Sequence, residues 1–260
     1  MKRFLLSLLF VLVAQSAQAN VVTKTVLYRQ GNTTLQGYLA YDDSVKEKRP
    51  GVLVFHEWMG LTPYEMRRAQ QLASMGYVAF AADIYGKGVR PRTAELAAKE
   101  AAKYRGKDRT LLRARANAAL DQLKKIPQVD PQRIAAIGYC FGGTAALELA
   151  RSGADYLGTV SFHGGLDTPK PADARNIRGK VLVLHGADDP FEKPDQVAAF
   201  QNEMRAAKVD WQMNIYGGAV HGFTNPRNGN DNSKGAAYNE KADMRSWGAM
   251  LQFFDEIFAK

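Results

Sequence analysis

Apolar and polar residues follow two different periods along this chain. Residues 22–28 and 33–41 alternate, as half-buried strands do, and Gly31-Asn32 between them predicts a tight hairpin. Further on, residues 50–56 and 78–82 form short, nearly continuous apolar runs, the form of strands covered on both faces. Segments 134–139, 157–162, 180–185 and 211–216 read as four more strands. Between them the period lengthens to that of a helix. Thr62 can cap a helix beginning at Pro63, running to about Met75 and stopped by Gly76. Segments 92–104 and 111–126 are helical, the second with Leu112, Ala116, Ala119, Leu123 and Ile126 on one face. Helices are also expected over 144–150 and 194–207, and in a closing segment that carries Trp247, Met250, Leu251, Phe254 and Phe258 as a core stripe. Strands alternating with helices predict an α/β fold, a mostly parallel sheet covered on both faces. Ligands of such sheets sit at the carboxyl ends of the strands.

One junction stands out. The strand 134–139 runs through Gly138-Tyr139-Cys140-Phe141-Gly142 directly into a helix. A chain that turns this sharply must hold its central residue in a strained conformation, and side chains two positions before and after would collide, so glycine is needed at both. Cys140 therefore stands at the apex of a nucleophile elbow. It is the only cysteine in the chain. Free cysteines commonly serve as small buried hydrophobes, but this setting presents the thiol at a helix N-terminus, where the dipole favours thiolate.

Residues 1–19 lie outside the fold. Lys2 and Arg3, an apolar run over 4–13 and Ala17-Gln18-Ala19 are the three parts of a secretory signal peptide, with cleavage expected after Ala19. The apolar run is too short to span a bilayer comfortably. Periplasmic or secreted localisation is expected, with no stable membrane insertion. Residues 20–260 suit one domain. Loss of Lys2 and Arg3 takes the formal net charge from +9 to +7. Nothing resembles a nucleic-acid module, so that charge reads as a solvated basic face. A lone cysteine cannot close an internal disulfide, and a free thiol kept in an oxidising compartment is consistent with catalysis. No Walker loop or dinucleotide fingerprint is present, so no cofactor is expected. A monomer is expected.

Two further loops follow buried strands. One is His185-Gly186-Ala187-Asp188-Asp189-Pro190-Phe191, the other Gly217-Gly218-Ala219-Val220-His221-Gly222-Phe223. With Cys140 they stand in the order nucleophile, acid, histidine that α/β-hydrolases use. Cys140 would attack an acyl carbon, His221 would take and return the proton, and a carboxylate would fix the imidazole tautomer. Spacing favours Asp189 over Asp188. His185 is expected to brace the acid loop, and His163 to be a pocket wall or a structural hydrogen-bonding group. The histidines and Asp83 have no recognised metal-ligand spacing.

His56-Glu57-Trp58-Met59-Gly60-Leu61, Asp83-Ile84-Tyr85, the elbow with Gly143, Asp189-Pro190-Phe191 and His221-Gly222-Phe223 together resemble the dienelactone hydrolase family, in order through nearly the whole mature chain. The resemblance implies an α/β-hydrolase fold and a Cys140–His221–Asp189 triad. It implies that Glu57 contacts the thiol and helps control its ionisation, and that the N–H groups of Trp58 and Phe141 form the oxyanion hole. Tyr85, Lys87 and Asn225 are the candidate substrate contacts. Lys87 and Asn225 align with two arginines that hold the substrate carboxylate in family members acting on dienelactone. That departure predicts that neutral esters are turned over at least as well as dienelactone-like acids. The segment 86–109, with Lys87, Arg90 and Arg92, is either a basic cap over the site or a solvated face.

The expected activity is hydrolysis of lactones or small carboxylic esters. A thioesterase or general carboxylesterase on the same scaffold is the alternative, and a silent binding or redox-sensing protein a more distant one. The leader generates the first prediction. Protein recovered from an exporting bacterial host should begin at Asn20 by intact-mass spectrometry, and uncleaved chain confined to the cytoplasm would remove the export reading.

Overall fold

The computed structural model describes residues 19–259; the expected signal peptide lies outside them, apart from Ala19. An eight-stranded sheet in the order β1-β2-β4-β3-β5-β6-β7-β8 forms the centre. β1 (Val21–Gln30) and β2 (Thr33–Asp42) pair antiparallel through Gln30 and Thr33, closing the expected hairpin at Gly31-Asn32. β2 also pairs antiparallel with β4 (Val78–Ala82). From β4 through β3 (Arg49–Phe55), β5 (Val129–Tyr139), β6 (Gly158–Phe162), β7 (Lys180–Gly186) and β8 (Trp211–Tyr216) the pairing is parallel throughout. Six carboxyl ends therefore share one edge.

The helices divide between the faces as the strand alternation requires. Val52 and Val54 of β3 point toward α1 (Pro63–Ser74) and α6 (Glu240–Phe258), where Leu72, Met250 and Phe254 are fully buried. Leu53 and Phe55 point toward α3 (Thr110–Lys124) and α4 (Phe141–Arg151), joined at the rim by Tyr104 of α2 (Ala94–Arg105). α5 (Pro194–Ala207) extends that second face, with Phe200 and Met204 on Val181 and Val183 of β7.

Local signals set the helix starts. Thr62 and Glu65 form a reciprocal capping box on α1 with Pro63 at its first position. Thr93 caps α2, which starts two residues later than the periodicity predicts. β5 starts five residues earlier than its apolar run, because Val129 and Asp130 pair with Arg49 and Pro50 before a register shift. The closing stripe is less buried than expected: Met250 and Phe254 are core, while Trp247, Leu251 and Phe258 keep partial exposure. No helix of the described residues is long and apolar enough to cross a membrane.

The junction between β5 and α4 is the tightest place in the fold. A Cβ on Gly138 would overlap the Gly142 carbonyl, and one on Gly142 would overlap the Phe55 carbonyl. Gly142→Ala should cost about 3 kcal/mol, the upper end of overpacking, and lower Tm by roughly 6–12 °C. Gly248, in an exposed stretch of α6, has open space where its Cβ would lie. Gly248→Ala should instead gain about 0.5–1 kcal/mol from helix propensity. Calorimetry of both variants separates steric demand from a generic glycine effect.

Candidate active site

Cys140 is the one residue between β5 and α4, with φ +53° and ψ −118°. Its N–H donates to the Phe162 carbonyl at 3.0 Å, and its carbonyl accepts the Gly143 N–H at 2.9 Å. The half-buried side chain lines a pocket of about 430 Å³ with Trp58, Ala98, Ala101, Ala102, Arg105, Gly106 and Phe141. A larger cleft of about 690 Å³, lined by Tyr64, Arg67, Arg68, Tyr238 and Asp243 among others, includes none of Cys140, His221 and Asp189.

His221 follows β8 and Asp189 follows β7, the adjacent strand. His221 Nδ1 lies 2.8 Å from Asp189 Oδ2. Asp189 Oδ1 accepts the Phe191 N–H at 2.9 Å. Burial would raise the Asp189 carboxyl, but the hydrogen bond and charge of His221 prevail and hold it below the usual range. Burial likewise opposes charge on His221. The negative charge of Cys140 and the hydrogen bond and charge of Asp189 outweigh it and hold the imidazole well above its ordinary value. Asp188 is exposed and its N–H is spent on the Ala219 carbonyl. The structure thus brings Cys140, His221 and Asp189 together and leaves Asp188 outside.

Among the described residues, no hydrogen bond takes the N–H of Trp58 or of Phe141. Phe141 is the first residue of α4, so its amide has no intrahelical acceptor. The Trp58 loop is held from several sides. Tyr85 Oη donates to the Trp58 carbonyl at 2.9 Å. The Glu57 N–H donates to Glu65 Oε1 at 3.0 Å, so the residue that caps α1 also anchors this loop. His56 Nε2 accepts the Ile84 N–H at 3.2 Å, which leaves the proton on Nδ1 to donate to the Glu57 carbonyl at 2.6 Å. Burial pushes the His56 imidazole down to about 4, consistent with that neutral bridge.

Several expected contacts take other partners. Glu57 Oε2 accepts from Asn225 Nδ2 at 2.7 Å, and no hydrogen bond joins its carboxyl to Cys140. Desolvation first and the Glu65 carboxylate second push that carboxyl up to about 7. Asn225 is buried, with Nδ2 donating to Glu57 and Oδ1 accepting the Arg227 N–H at 3.1 Å, and it does not line the Cys140 pocket. Tyr85 is buried with its hydroxyl on Trp58, which makes it a support for the loop rather than a substrate contact. Lys87 is exposed and does not line the Cys140 pocket. His185 is buried but makes no side-chain hydrogen bond to the acid loop, and its Nδ1 has no partner.

Arg105 is the pocket residue the sequence reading passed over. Its Nη2 donates to Asp167 Oδ1 at 2.7 Å and lies 4.0 Å from Glu192 Oε1. Arg109 holds the other oxygen of Asp167 at 2.7 Å. Nε and Nη1 of Arg105 meet no protein acceptor among the described residues. Burial pushes the Glu192 carboxyl up to about 7, while Asp167, between two arginines, stays below the usual range despite its own burial. The expected basic residues do not play this part: Arg90 is spent on the carbonyls of Leu61 and Val89, and Arg92 is exposed. A signal for Arg105 did exist. Ala98, Ala101, Ala102 and Arg105 share one helical face, three small side chains that make room and one cation at the end. Among the described residues, no cluster of three or more His, Cys, Asp or Glu side chains is placed to hold a metal ion.

Comparison with known proteins places this chain among related ones. Residues 35–258 match the Dienelactone hydrolase family. The solved structure named m3DLH is 44% identical, with a TM-score of 0.87 over 92% of this chain and 99% of its own. A dienelactone hydrolase-like promiscuous phosphotriesterase from metagenomic libraries is 42% identical, with the same TM-score and coverage. A protein of Aquifex aeolicus (strain VF5) named "Putative carboxymethylenebutenolidase" is 26% identical over 232 residues, 88% of this chain and 96% of its own. With the family matched from β2 to the last turn of α6, and with the parallel sheet and elbow in place, the chain belongs to the dienelactone hydrolase family, an α/β-hydrolase family acting on ester bonds.

Proposed function

We propose that this protein is an exported, monomeric, cysteine-dependent hydrolase of lactones or small carboxylic esters. The observation that carries the reading is the pairing of His221 with Asp189, next to a Cys140 that lines a pocket with Trp58 and Phe141, two residues whose backbone amides are unspent. With Nδ1 on Asp189, His221 turns Nε2 to the thiol. Sγ first gives its proton to Nε2 and then attacks the acyl carbon as the thiolate. The carbonyl oxygen becomes an oxyanion, and the N–H groups of Trp58 and Phe141 are its donors. Collapse breaks the C–O bond, and the leaving alkoxide takes the proton from His221; in a lactone that hydroxyl stays tethered to the acyl group. Water then gives a proton to His221 and attacks the thioester, and the thiol leaves with that proton restored. Asp189 keeps the tautomer and stabilises the imidazolium throughout.

Arg105 refines the substrate. The departure of Lys87 and Asn225 from the family's arginines predicts that neutral esters or lactones are turned over at least as well as dienelactone-like acids. Arg105 supports the opposite preference, because a guanidinium with two uncommitted donor atoms lines the pocket of the nucleophile. An acyl group with an anionic substituent would meet a charge-assisted hydrogen bond there. The family likeness to a promiscuous phosphotriesterase makes phosphotriesters the second class to assay.

Two measurements test this. Cys140→Ala should lose at least about a thousandfold in kcat on a chromogenic short-chain ester, since a triad whose nucleophile is gone keeps only binding and the oxyanion donors. Iodoacetamide should label Cys140 in the unmodified enzyme, and a substrate analogue should slow the labelling. Full activity in Cys140→Ala would sink the whole reading. Separately, Arg105→Gln should lower kcat/KM for an anionic ester by roughly ten- to a hundredfold, which is about 1.5–3 kcal/mol for one hydrogen bond to a charged group. A matched neutral ester should change less than about threefold, with both assayed at one ionic strength. Equal losses on both substrates would assign Arg105 to structure instead.

A further inference from the structure

His163 has no part in the reaction scheme above, yet it touches both halves of the site. It follows β6, is 1% exposed and holds φ +40°, a conformation side chains other than glycine rarely adopt. Backbone strain of this kind persists only where the surroundings enforce it. The Cys140 N–H, besides reaching the Phe162 carbonyl, donates to His163 Nδ1 at 3.1 Å. Nδ1 is therefore unprotonated and the proton sits on Nε2. Nε2 lies 2.7 Å from Thr224 Oγ1, to which it donates. The Thr224 hydroxyl also pairs with Tyr64 Oη at 2.6 Å, and the Thr224 carbonyl accepts from Arg68 Nη2 at 2.9 Å.

Thr224 stands three residues after His221, and Asn225, which holds Glu57, comes next. The His163 ring also packs edge-on against His221, at 5.4 Å between centroids, and against Phe223 at 5.0 Å. One neutral imidazole thus ties the backbone of the nucleophile to the loop that carries the base.

We propose that His163 is a positioning residue that fixes the Cys140 elbow relative to the His221 loop, through Nδ1 on the Cys140 amide and Nε2–H on Thr224. This rests on the reading of Cys140 and His221 as nucleophile and base. The imidazole has to be neutral for its part, since protonation at Nδ1 would remove the acceptor and add another cation beside His221 and Arg68. Burial favours that state and holds its pKa well below the ordinary value, with the charge of His221 as the second cause. A displacement of the attacking atom by about 1 Å is enough to cost a hundredfold in rate.

The test uses the whole mature enzyme and His163→Ala, His163→Asn, His163→Gln and Thr224→Val. Kinetics are read as kcat and KM separately, alongside the rate of Cys140 alkylation and Tm. His163→Ala should lower kcat ten- to a hundredfold, leave KM within about twofold and slow alkylation. His163→Asn keeps an oxygen near the place of Nδ1 and tolerates positive φ, so it should recover kcat to within about threefold. His163→Gln cannot reproduce the short acceptor and should resemble His163→Ala. Thr224→Val should lower kcat, and the double variant His163→Ala/Thr224→Val should fall no further than the worse single one, because coupled residues are not additive. The proposal is overturned if kcat is unchanged in His163→Ala, if His163→Asn fails to recover it, if losses track Tm across the series, or if the double variant is additive. Should His163→Ala not fold, the Asn–Gln contrast and Thr224→Val still decide the matter. Activity surviving in Cys140→Ala would instead overturn the underlying assignment of the nucleophile.

Discussion

The close approach of β5 to α4 is the constraint on which the site depends. Cys140 adopts φ +53° because strand and helix meet with no residue to spare, and Gly138 and Gly142 have no side chains because carbonyls occupy the space. Gly142 lies against the Phe55 carbonyl, so the elbow is set directly on the end of β3. That contact places Phe141 beside the loop that begins at His56. Trp58 and Phe141, whose amides are unspent, line one pocket because of this packing.

Around that fixed point, each loop is tied to another by a buried polar group. Glu65 caps α1 and anchors Glu57; His56 joins the β3 and β4 loops; Tyr85 holds the Trp58 carbonyl; Asn225 holds the Glu57 carboxyl; His163 and Thr224 join β6 to the β8 loop. Buried polar groups left unpaired are costly, so such ties specify one loop arrangement as well as stabilise it. A deeper ion network of Arg151 with Glu148 and Glu203 does the same for α4 and α5, with Arg113 and Asp173 at its edge.

The charges in the site fall into two sets. Glu57 and Glu192 sit where burial lifts carboxyls to about 7, while Asp189 and Asp167 face cations strong enough to keep them low. One low carboxyl orients the imidazole; the other orients Arg105. Asp167 is shared between Arg105 and Arg109, one carboxylate between two guanidinium groups.

The architecture was legible in the sequence because burial leaves a period in the chain. Two faces of covered strands, the hairpin at Gly31-Asn32, the Thr62 cap and the elbow glycines all act over a few residues, and each appears where its local chemistry predicts. The order of Cys140, Asp189 and His221 was legible for the same reason, since each follows a strand and parallel strands end on one edge. Side-chain partnership was not. Asn225 on Glu57, Tyr85 on Trp58 and His163 on the Cys140 amide join residues between 23 and 168 positions apart. No period encodes such pairs. The sequence determined which groups reach the carboxyl edge of the sheet, and the tertiary structure alone decided which of them meet, because a hydrogen bond depends on distances of a few tenths of an ångström that only the packed fold sets.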